Sequence, residues 1–309
     1  MKERMWLSNL SLDDVRGGTE LLGTQFCRAM GLKYFSASKF GIPLYGSNAD
    51  IAELLDKKLD EIDIELLVYN SVNCWSKKPK ADLAIAVCCE NFREESESLD
   101  EPSFSRLKMG EFEFQKKSLK NADKIVTISE QEKESFEKDG FTSTLIEPYV
   151  DLERFRPTGE SKNPKMTALF VGRSHPRKGF DIVLELEKRF PQIAFWYVVD
   201  GSISSEELNS LYNRADFLLM PSRYESFGFV YAEALATNLP IISSRVGLFG
   251  KWQPSEFGIF PSEITVEAFS EAIKSFDPKN FEDSRPVAEE RFSFERFKEE
   301  CDDLLGNGQ

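Results

Sequence analysis

Short apolar runs alternate with amphipathic segments along the second half of the chain. Phe217–Met220 and Ile193–Val199 are apolar runs of strand length, whereas Asp181–Lys188 and Ser205–Tyr212 carry apolar residues at helical spacing. Strands and helices that alternate in this way predict a parallel sheet covered by helices. The same pattern predicts strands at Met166–Val171 and Ile241–Ile242, and helices at Val230–Thr237, Glu267–Ser275 and Phe294–Leu305.

The first half of the chain shows the same alternation. Met5–Leu7 predicts a short strand, and Glu20–Met30 predicts the helix that follows it. Ala49–Asp60 predicts an amphipathic helix. Glu65–Tyr69 and Leu83–Val87 are almost wholly apolar, which is typical of parallel strands buried on both faces.

A polar stretch from Asn91 to Glu113 interrupts this alternation, and we expect a loop or a mobile segment there. The overlapping segment Arg106–Lys124 interleaves lysines with apolar residues. It predicts an amphipathic helix packed on the first sheet. The alternative is an interfacial helix that recognises a lipid-linked or anionic acceptor, but Glu111 and Glu113 dilute the positive charge that this alternative needs.

Chain length and punctuation predict two domains. A chain of 309 residues is long enough for two cores, and the Pro/Gly/polar segment Pro157–Pro164 is the best boundary. We therefore expect domains at residues 1–157 and 158–288. A C-terminal helix at 289–309 would follow, and its return to the first domain stays open.

Composition narrows the class of protein. Hydrophobic content of 41% and charged content of 30% are typical of a soluble globular protein. The net charge of −14 argues against a nucleic-acid partner, although a local basic patch would still permit peripheral membrane contact. The chain has no apolar run near the roughly 18 residues of a spanning helix, and Met1–Asp14 lacks the apolar core of a secretory signal. Five cysteines without metal-site spacing predict reduced, mostly buried thiols in a cytoplasmic protein.

The chemistry centres on Pro221–Ala236, which follows an apolar strand and opens a helix, with Ser226 and Gly228 at the turn. Ligands of a parallel sheet lie outside the carboxyl ends of its strands, and a helix N-terminus there suits a phosphate. Glu225 and Glu233 can accept hydrogen bonds from the hydroxyls of a sugar or ribose. Taken alone, the two glutamates would indicate only a solvated helix face.

A second glycine turn carries cations. The apolar run that begins at Leu169 ends in Gly172, and Arg173 and Lys178 follow before Gly179. Two fixed cations beside a glycine turn suit a diphosphate, while a charged surface loop is an equal alternative for this stretch alone. The pair Gly17–Gly18, also between a strand and a helix, is a weaker anion-site signal.

Together these stretches resemble the C-terminal half of a retaining glycosyltransferase of family 4, which has the GT-B fold and the E-x7-E motif. The resemblance covers about residues 120 to 309, with a weaker match at Gly17–Gly18. The matching motifs are Val171–Gly172–Arg173, Lys178–Gly179, Pro221–Ser222, Glu225, Phe227–Gly228 and Glu233, with flanking matches at 121–130, 150–157 and 290–295.

The resemblance implies two Rossmann-like α/β domains whose parallel sheets face a cleft, with a compact second domain. The first domain would lie on the acceptor side, and the second would bind a UDP- or GDP-linked sugar donor. The implied enzyme is a metal-independent, retaining transferase of the hexosyltransferase type that uses no further cofactor. The acceptor, a glycan, a lipid-linked molecule or a small molecule, is not specified.

The resemblance also implies roles for individual residues. Arg173 and Lys178 would stabilise the charge on the leaving diphosphate, Glu225 would orient the sugar, and Glu233 would hold the ribose. The other residues expected to bind substrate are Gly17, Gly18, Gly172, Ile203, Ser226, Phe227, Gly228, Phe229 and Glu90.

Three departures from the family pattern change this picture. The single histidine, His175, lies in the second domain and is interpreted as a loop residue, so Glu90 or Asn91 would take the place of the family's first-domain histidine, unless they only cap a strand end. One strand–helix unit before Ser205 is missing, and residues 201–204 resemble the family's base-binding segment, in which the Ile203 backbone would meet the base.

The third departure lies at 246–250, where V-G-L-F-G replaces the family's V-G-G-x-x-E. The change would alter the choice of acceptor or sugar. Two other functions stay open beside transfer: a GT-B-fold nucleotide-sugar isomerase, and a nucleotide-sugar-binding protein without catalysis.

Overall fold

The computed structural model describes residues 2–9, 17–42, 48–74, 76–199 and 203–306. The chain divides into two compact units, Met1–Pro148 together with Phe297–Gln309, and Tyr149–Arg296. The second unit thus begins upstream of the polar segment Pro157–Pro164.

The described strands of the first unit form a parallel sheet in the order β2-β1-β3-β4-β5-β6. Met5, Leu67 and Ala84 are fully buried in the core on one face of this sheet, and Trp6 stacks on Phe26 with ring centroids 5.7 Å apart. The elements are β1 (Glu3–Ser8), α1 (Gly18–Met30), β2 (Lys33–Ser36), α2 (Asn48–Leu59), β3 (Ile64–Asn70), β4 (Ala81–Val87), α3 (Phe92–Glu97), α4 (Pro102–Lys120), β5 (Lys124–Thr127), α5 (Glu130–Lys138) and β6 (Thr144–Leu145).

The prediction of a loop or mobile segment from Asn91 to Glu113 is wrong, because α3 and most of α4 lie there. The side chain of Asn91 accepts hydrogen bonds from the N–H groups of Arg93 and Glu94 and so caps α3. Pro102 begins α4, where its missing N–H has no helical partner to lose. The polar composition reflects the exposed faces of these two helices.

The prediction that Arg106–Lys124 forms a helix packed on the sheet is confirmed in its main feature. Helix α4 ends at Lys120, and its Phe112 and Leu119 join the buried core of the first unit. Leu107, on the outer side, is 62% exposed. Strand β2 was not predicted from the pattern.

The described strands of the second unit form a parallel sheet in the order β11-β10-β9-β7-β8. The predicted helices and strands of this half are confirmed, with bounds that differ by one or two residues. The elements are β7 (Thr167–Val171), α6 (Phe180–Arg189), β8 (Ala194–Val198), α7 (Ser205–Arg214), β9 (Phe217–Met220), α8 (Phe229–Ala236), β10 (Ile241–Ser243), β11 (Gly258–Ile259), α9 (Val266–Ser275) and α10 (Arg285–Arg291). The last helix, α11 (Phe294–Leu305), begins in this unit, but its residues from Phe297 onward belong to the first unit.

All five cysteines are free thiols, and all but Cys27 are buried. Burial holds the pKa values of Cys88 and Cys89 well above the ordinary range, so both stay protonated and unreactive at neutral pH. Among the described helices, none has both the length and the apolar composition needed to cross a bilayer.

Candidate functional site

The order of the strands places two loops of the second unit side by side. Strand β7 pairs with β8 on one side and with β9 on the other, so the chain changes direction across the sheet between them. In open α/β sheets, ligands bind at such a point, outside the carboxyl ends of the strands. The loop after β7 carries the predicted cations, and the loop after β9 carries Glu225. We name them the cation loop (residues 172–179) and the glutamate loop (residues 221–228).

The two loops touch through their backbones. Gly179 has a φ of 71°, in the left-handed region, and a Cβ atom placed on it would lie 2.0 Å from the carbonyl oxygen of Pro221. The N–H of Arg223 donates a hydrogen bond to the carbonyl of Arg177 at 2.8 Å. The guanidinium of Arg223 forms a bidentate pair with Asp181 at 2.7 and 2.8 Å and also donates to the carbonyl of Pro176. Arg223 therefore fastens one loop to the other.

Lys178 and Glu225 form an ion pair between the loops. The Lys178 Nζ donates to Glu225 Oε1 at 2.7 Å and to Oε2 at 2.6 Å, and the Ser222 hydroxyl donates to Oε1 at 2.8 Å. The side chains of Lys178 and Glu225 are 18% and 6% exposed. Burial lowers the pKa of Lys178 below its ordinary value, while the Glu225 carboxylate opposes that shift. A cation so poorly solvated interacts strongly with any anion that reaches it.

Two further cationic side chains lie near this pair. The positive charges of Arg177 and Arg173 both lower the pKa of Lys178, although less than burial does. Arg173 is exposed and forms no ion pair with the described residues. Arg177 lies over the ring of Tyr224, with its guanidinium carbon 5.8 Å from the ring centroid. The site therefore combines three cations: Lys178, largely buried and paired with Glu225; Arg177, over the ring of Tyr224; and Arg173, open to solvent.

His175 has a structural role in the cation loop. Its Nδ1 accepts the N–H of Arg177 at 3.0 Å and so caps the 3₁₀ turn Pro176–Lys178. Its side chain is exposed. The interpretation of His175 as a loop residue agrees with this geometry.

Glu233 lies on α8, the helix that directly follows the glutamate loop, and is 8% exposed. The hydroxyl of Tyr212 donates to its Oε2 at 2.7 Å. Burial raises the pKa of Glu233 to about 7, while the Tyr212 hydrogen bond and the charge of Arg154 oppose that rise. Burial thus makes this carboxyl easier to protonate than an exposed glutamate.

The glutamate loop turns into α8 through Gly228, which has a φ of 86° and occupies the N-cap position. Phe229 begins the helix, so its N–H is among those at the helix start that lack a helical partner. The ring of Phe227 is 2% exposed and packs edge-on against Phe292 at 5.9 Å. Phe227 can therefore offer a ligand only its backbone, while the hydroxyl of Ser226 lies 3.1 Å from that of Tyr224.

Gly247 lies in the segment that departs from the family pattern, and this segment packs against the glutamate loop. The N–H of Leu248 donates to the carbonyl of Phe227 at 2.8 Å. A Cβ atom on Gly247 would lie 2.6 Å from that same carbonyl oxygen and 2.8 Å from the Cβ of Glu225. Gly247 is therefore required for its segment to pack closely against the glutamate loop.

Three predicted residues lie in the first unit. Gly17 is the N-cap residue of α1, in extended conformation, and its carbonyl accepts the N–H of Leu21 at 3.1 Å; Gly18 begins the helix. Glu90 is half-buried just before α3, and its backbone carbonyl accepts a hydrogen bond from Gln115 at 2.6 Å. These positions agree with the carboxyl edge of the sheet, and their role toward a substrate stays a prediction.

The side chain of Asn91 has a structural role. Besides capping α3, its amide donates to the Ser135 hydroxyl at 3.0 Å, and its side chain is fully buried. Asn91, one of the two residues proposed to take the place of a histidine, is therefore engaged within the fold. Ile203 is half-buried immediately before Ser204, the N-cap residue of α7. Gly201 and Ser202 of the predicted base-contacting segment lie outside the described residues.

Two residues that shape this site, Tyr212 and Arg223, could not be identified from the sequence pattern. Tyr212 matches the apolar spacing of a helix, and Arg223 is one charge among many. Within the described part of the chain, no three His, Cys, Asp or Glu side chains are grouped so that they could hold a metal ion.

Residues 185–276 match a family model described as Glycosyl transferases group 1. Among similar proteins are an uncharacterised 41.2 kDa protein in the cps region of Klebsiella pneumoniae, 30% identical over 34% of this chain and 36% of its own length, and the D-inositol 3-phosphate glycosyltransferase of Corynebacterium urealyticum, 27% identical over 41% and 42%. A probable sucrose-phosphate synthase of Thermosipho melanesiensis is 27% identical over 62% of this chain and 56% of its own length. The chain thus matches less than two thirds of the length of each relative.

Solved structures resemble the chain over nearly its whole length. Sucrose-phosphate synthase of Thermosynechococcus elongatus superposes with a TM-score of 0.83 at 18% identity, covering 99% of this chain and 98% of that one. Anabaena HepE in complex with UDP-glucose superposes with a TM-score of 0.69 at 12% identity, covering 99% and 100%. Two Rossmann-like α/β units with parallel sheets therefore form the GT-B fold, and the predicted fold class is confirmed.

Proposed function

We propose that the chain is a retaining glycosyltransferase that moves a hexose from a nucleoside diphosphate sugar to an acceptor hydroxyl, without a metal ion. The Lys178–Glu225 pair carries the proposal, because it sets a desolvated cation beside a sugar-binding carboxylate where the loops after β7 and β9 meet. The match to a glycosyltransferase family model over 185–276, a range that includes Glu225 and Glu233, supports it. So does the resemblance to a protein solved with UDP-glucose.

In the proposed complex the diphosphate replaces Glu225 as the ionic partner of the Lys178 ammonium. Arg173, which is exposed and unpaired among the described residues, adds a second cation. Glu225 is then released to accept hydrogen bonds from the hydroxyls of the sugar. The N–H groups of Gly228 and Phe229 at the start of α8 face the same anion.

The proposed reaction proceeds on one face of the sugar. The acceptor hydroxyl oxygen bonds to the anomeric carbon from the side on which the diphosphate leaves. The bond from that carbon to the diphosphate oxygen breaks, and the hydroxyl proton passes to a phosphate oxygen of the donor. The negative charge that grows on the diphosphate is stabilised by Lys178 and Arg173, a contribution that is usually the largest in such reactions.

A first test compares donor turnover and its stereochemistry. With water as the acceptor, the sugar released from the donor should first appear with the anomeric configuration of the donor, as seen by rapid NMR, and a chelator should leave the rate unchanged. Initial release of the opposite anomer, or loss of turnover with the chelator, would refute the proposed mechanism. Conversion to an epimeric nucleotide sugar without release would identify an isomerase, which the comparisons above do not favour.

Substitutions of the two glutamates should affect nucleotide binding and turnover differently. Glu233→Gln should weaken binding of the bare nucleoside diphosphate by about tenfold, since one charged acceptor of a ribose hydroxyl is lost. Glu225→Gln should leave that affinity within about threefold and lower donor turnover by about tenfold, because glutamine keeps the shape but not the charge that orients the sugar. Calorimetry with UDP and GDP, paired with a turnover assay, measures both. Equal losses of affinity in the two variants would contradict the division of roles.

A further inference from the structure

The partner of Glu233 is even more deeply buried than Glu233 itself. Tyr212, on α7, is fully buried, and its hydroxyl lies 2.7 Å from Glu233 Oε2. Burial holds the pKa of Tyr212 well above the ordinary range, so the hydroxyl keeps its proton and donates it to the carboxylate. Among the described residues, no other group donates a hydrogen bond to the carboxylate of Glu233. One oxygen of the carboxylate is therefore held, and the other is left to accept.

Hydrogen bonds at both ends of α7 hold the helix in place, and Tyr212 with it. A capping box between Ser204 and Glu207 fixes the first turn of the helix. At the other end, the amide of Asn213 donates to the carbonyl of Arg156 at 3.0 Å, and its side-chain oxygen accepts the N–H of Thr158 at 2.8 Å. The segment that precedes β7, which contains Arg156 and Thr158, is thereby hydrogen-bonded to α7.

The same segment locks the ring of Tyr212. Phe155 packs edge-on against it with ring centroids 5.9 Å apart. Arg285 donates to the carbonyls of Leu152 and Phe155, at 2.9 and 2.6 Å, and to that of Ala236 at the end of α8, at 3.0 Å. The tyrosine and the helix that bears Glu233 are therefore fixed to one another by the backbone of this segment.

We propose that Tyr212 is a positioning residue that aims Glu233 at the ribose, so that it determines how strongly the site prefers a ribose over a deoxyribose. The inference rests on the proposed function, in which Glu233 binds the ribose. With Oε2 bound to Tyr212, Oε1 faces the ribose in one orientation. Without the tyrosine hydroxyl, the carboxyl would be free to turn, and the ribose would lose an acceptor held in one orientation.

The test uses Tyr212→Phe, which removes one oxygen and keeps the packing of the ring. Calorimetry would measure affinity for UDP, GDP and their 2′-deoxy and 3′-deoxy forms. In the wild type, the ribonucleotide should bind at least about tenfold more tightly than one of the deoxy forms, since a missing hydroxyl leaves a buried acceptor unpaired. In Tyr212→Phe this ratio should fall to about one, with the affinity for the deoxy form unchanged.

Tyr197→Phe is the matched control, because Tyr197 belongs to the same unit and lies on β8, where its ring packs against Phe180. It should keep the wild-type ratio. Glu233→Gln should lose the ratio as Tyr212→Phe does, and the double variant should lose no more than either single one, as expected of two residues that act as a unit.

The outcomes separate this inference from the proposed function. A wild-type protein that binds no nucleoside diphosphate would refute both. A Tyr212→Phe variant that binds nucleotides with the wild-type ribose preference would refute only the role of Tyr212. A double variant with a further loss of preference would do the same. If thermal unfolding showed Tyr212→Phe to be unfolded, the ratio in Glu233→Gln would decide: an unchanged ratio there would overturn the inference, since no ribose discrimination would pass through the carboxylate.

Discussion

Lys178→Ala should lower the rate of donor turnover by about a hundredfold or more, which corresponds to about 3 kcal/mol of transition-state stabilisation. The ammonium is buried, and in the proposed reaction it faces the charge that grows on the leaving diphosphate. Because solvent screens it little, its electrostatic contribution is large. A turnover assay on UDP- and GDP-linked hexoses measures the effect.

The same substitution should also lower stability, since it leaves the buried carboxylate of Glu225 without its cation, at a cost of about 3–5 kcal/mol. The double variant Lys178→Ala with Glu225→Gln separates the two effects. It should regain most of the lost free energy of unfolding, measured with urea, and none of the lost turnover. Lys188→Ala, which removes an exposed lysine paired with Glu185 in the same unit, is the control and should change neither quantity. Wild-type turnover in Lys178→Ala would show that the anion site is elsewhere.

Gly179→Ala should have the second largest effect, on stability and turnover together. A methyl group at this position would lie 2.0 Å from the Pro221 carbonyl oxygen, so the cation loop and the glutamate loop would have to separate. A contact that short is met only by shifting backbone, which typically costs about 1–3 kcal/mol and sometimes more. The left-handed φ adds about 1 kcal/mol. Since Lys178 and Glu225 lie on the separated loops, we expect turnover to fall by at least about tenfold.

Gly159→Ala is a close control for this prediction. Its φ is 73°, nearly that of Gly179 at 71°, but a Cβ atom there meets nothing within 4 Å. The control should show only the conformational cost of about 1 kcal/mol, with unchanged turnover. Equal losses of unfolding free energy in the two variants would mean that the contact between the loops contributes nothing.

Local sequence pattern predicted most helices and strands in the second half of the chain well, since most of them have a clear start and end. Helix α11 was predicted at Phe294–Leu305, the bounds that the structure shows, and α8 starts one residue before its predicted first residue, Val230. Glycines and polar clusters mark these ends, and the apolar spacing between them is regular. The same approach failed for α3 and for the first turn of α4, because a short, largely polar helix resembles a loop when only composition is considered.

The candidate site was predictable only in part, for a physical reason. Lys178 and Glu225 are separated by 47 positions, and their contact depends on β7 and β9 being neighbours in the sheet. Local periodicity does not specify strand order, so the resemblance to a family was needed to associate the two residues. Tyr212 contacts Glu233, and Arg223 joins the two loops, through side-chain geometry between separate elements. A local sequence motif does not specify such geometry.

The most direct test of the account is a crystal structure of the protein grown with UDP or GDP. We predict a diphosphate at the start of α8, with one phosphate oxygen about 2.7–2.9 Å from the Nζ of Lys178 and the ammonium drawn from at least one oxygen of Glu225. A nucleotide bound elsewhere, or a diphosphate that leaves Lys178 paired to both oxygens of Glu225 without touching it, would contradict the central claim.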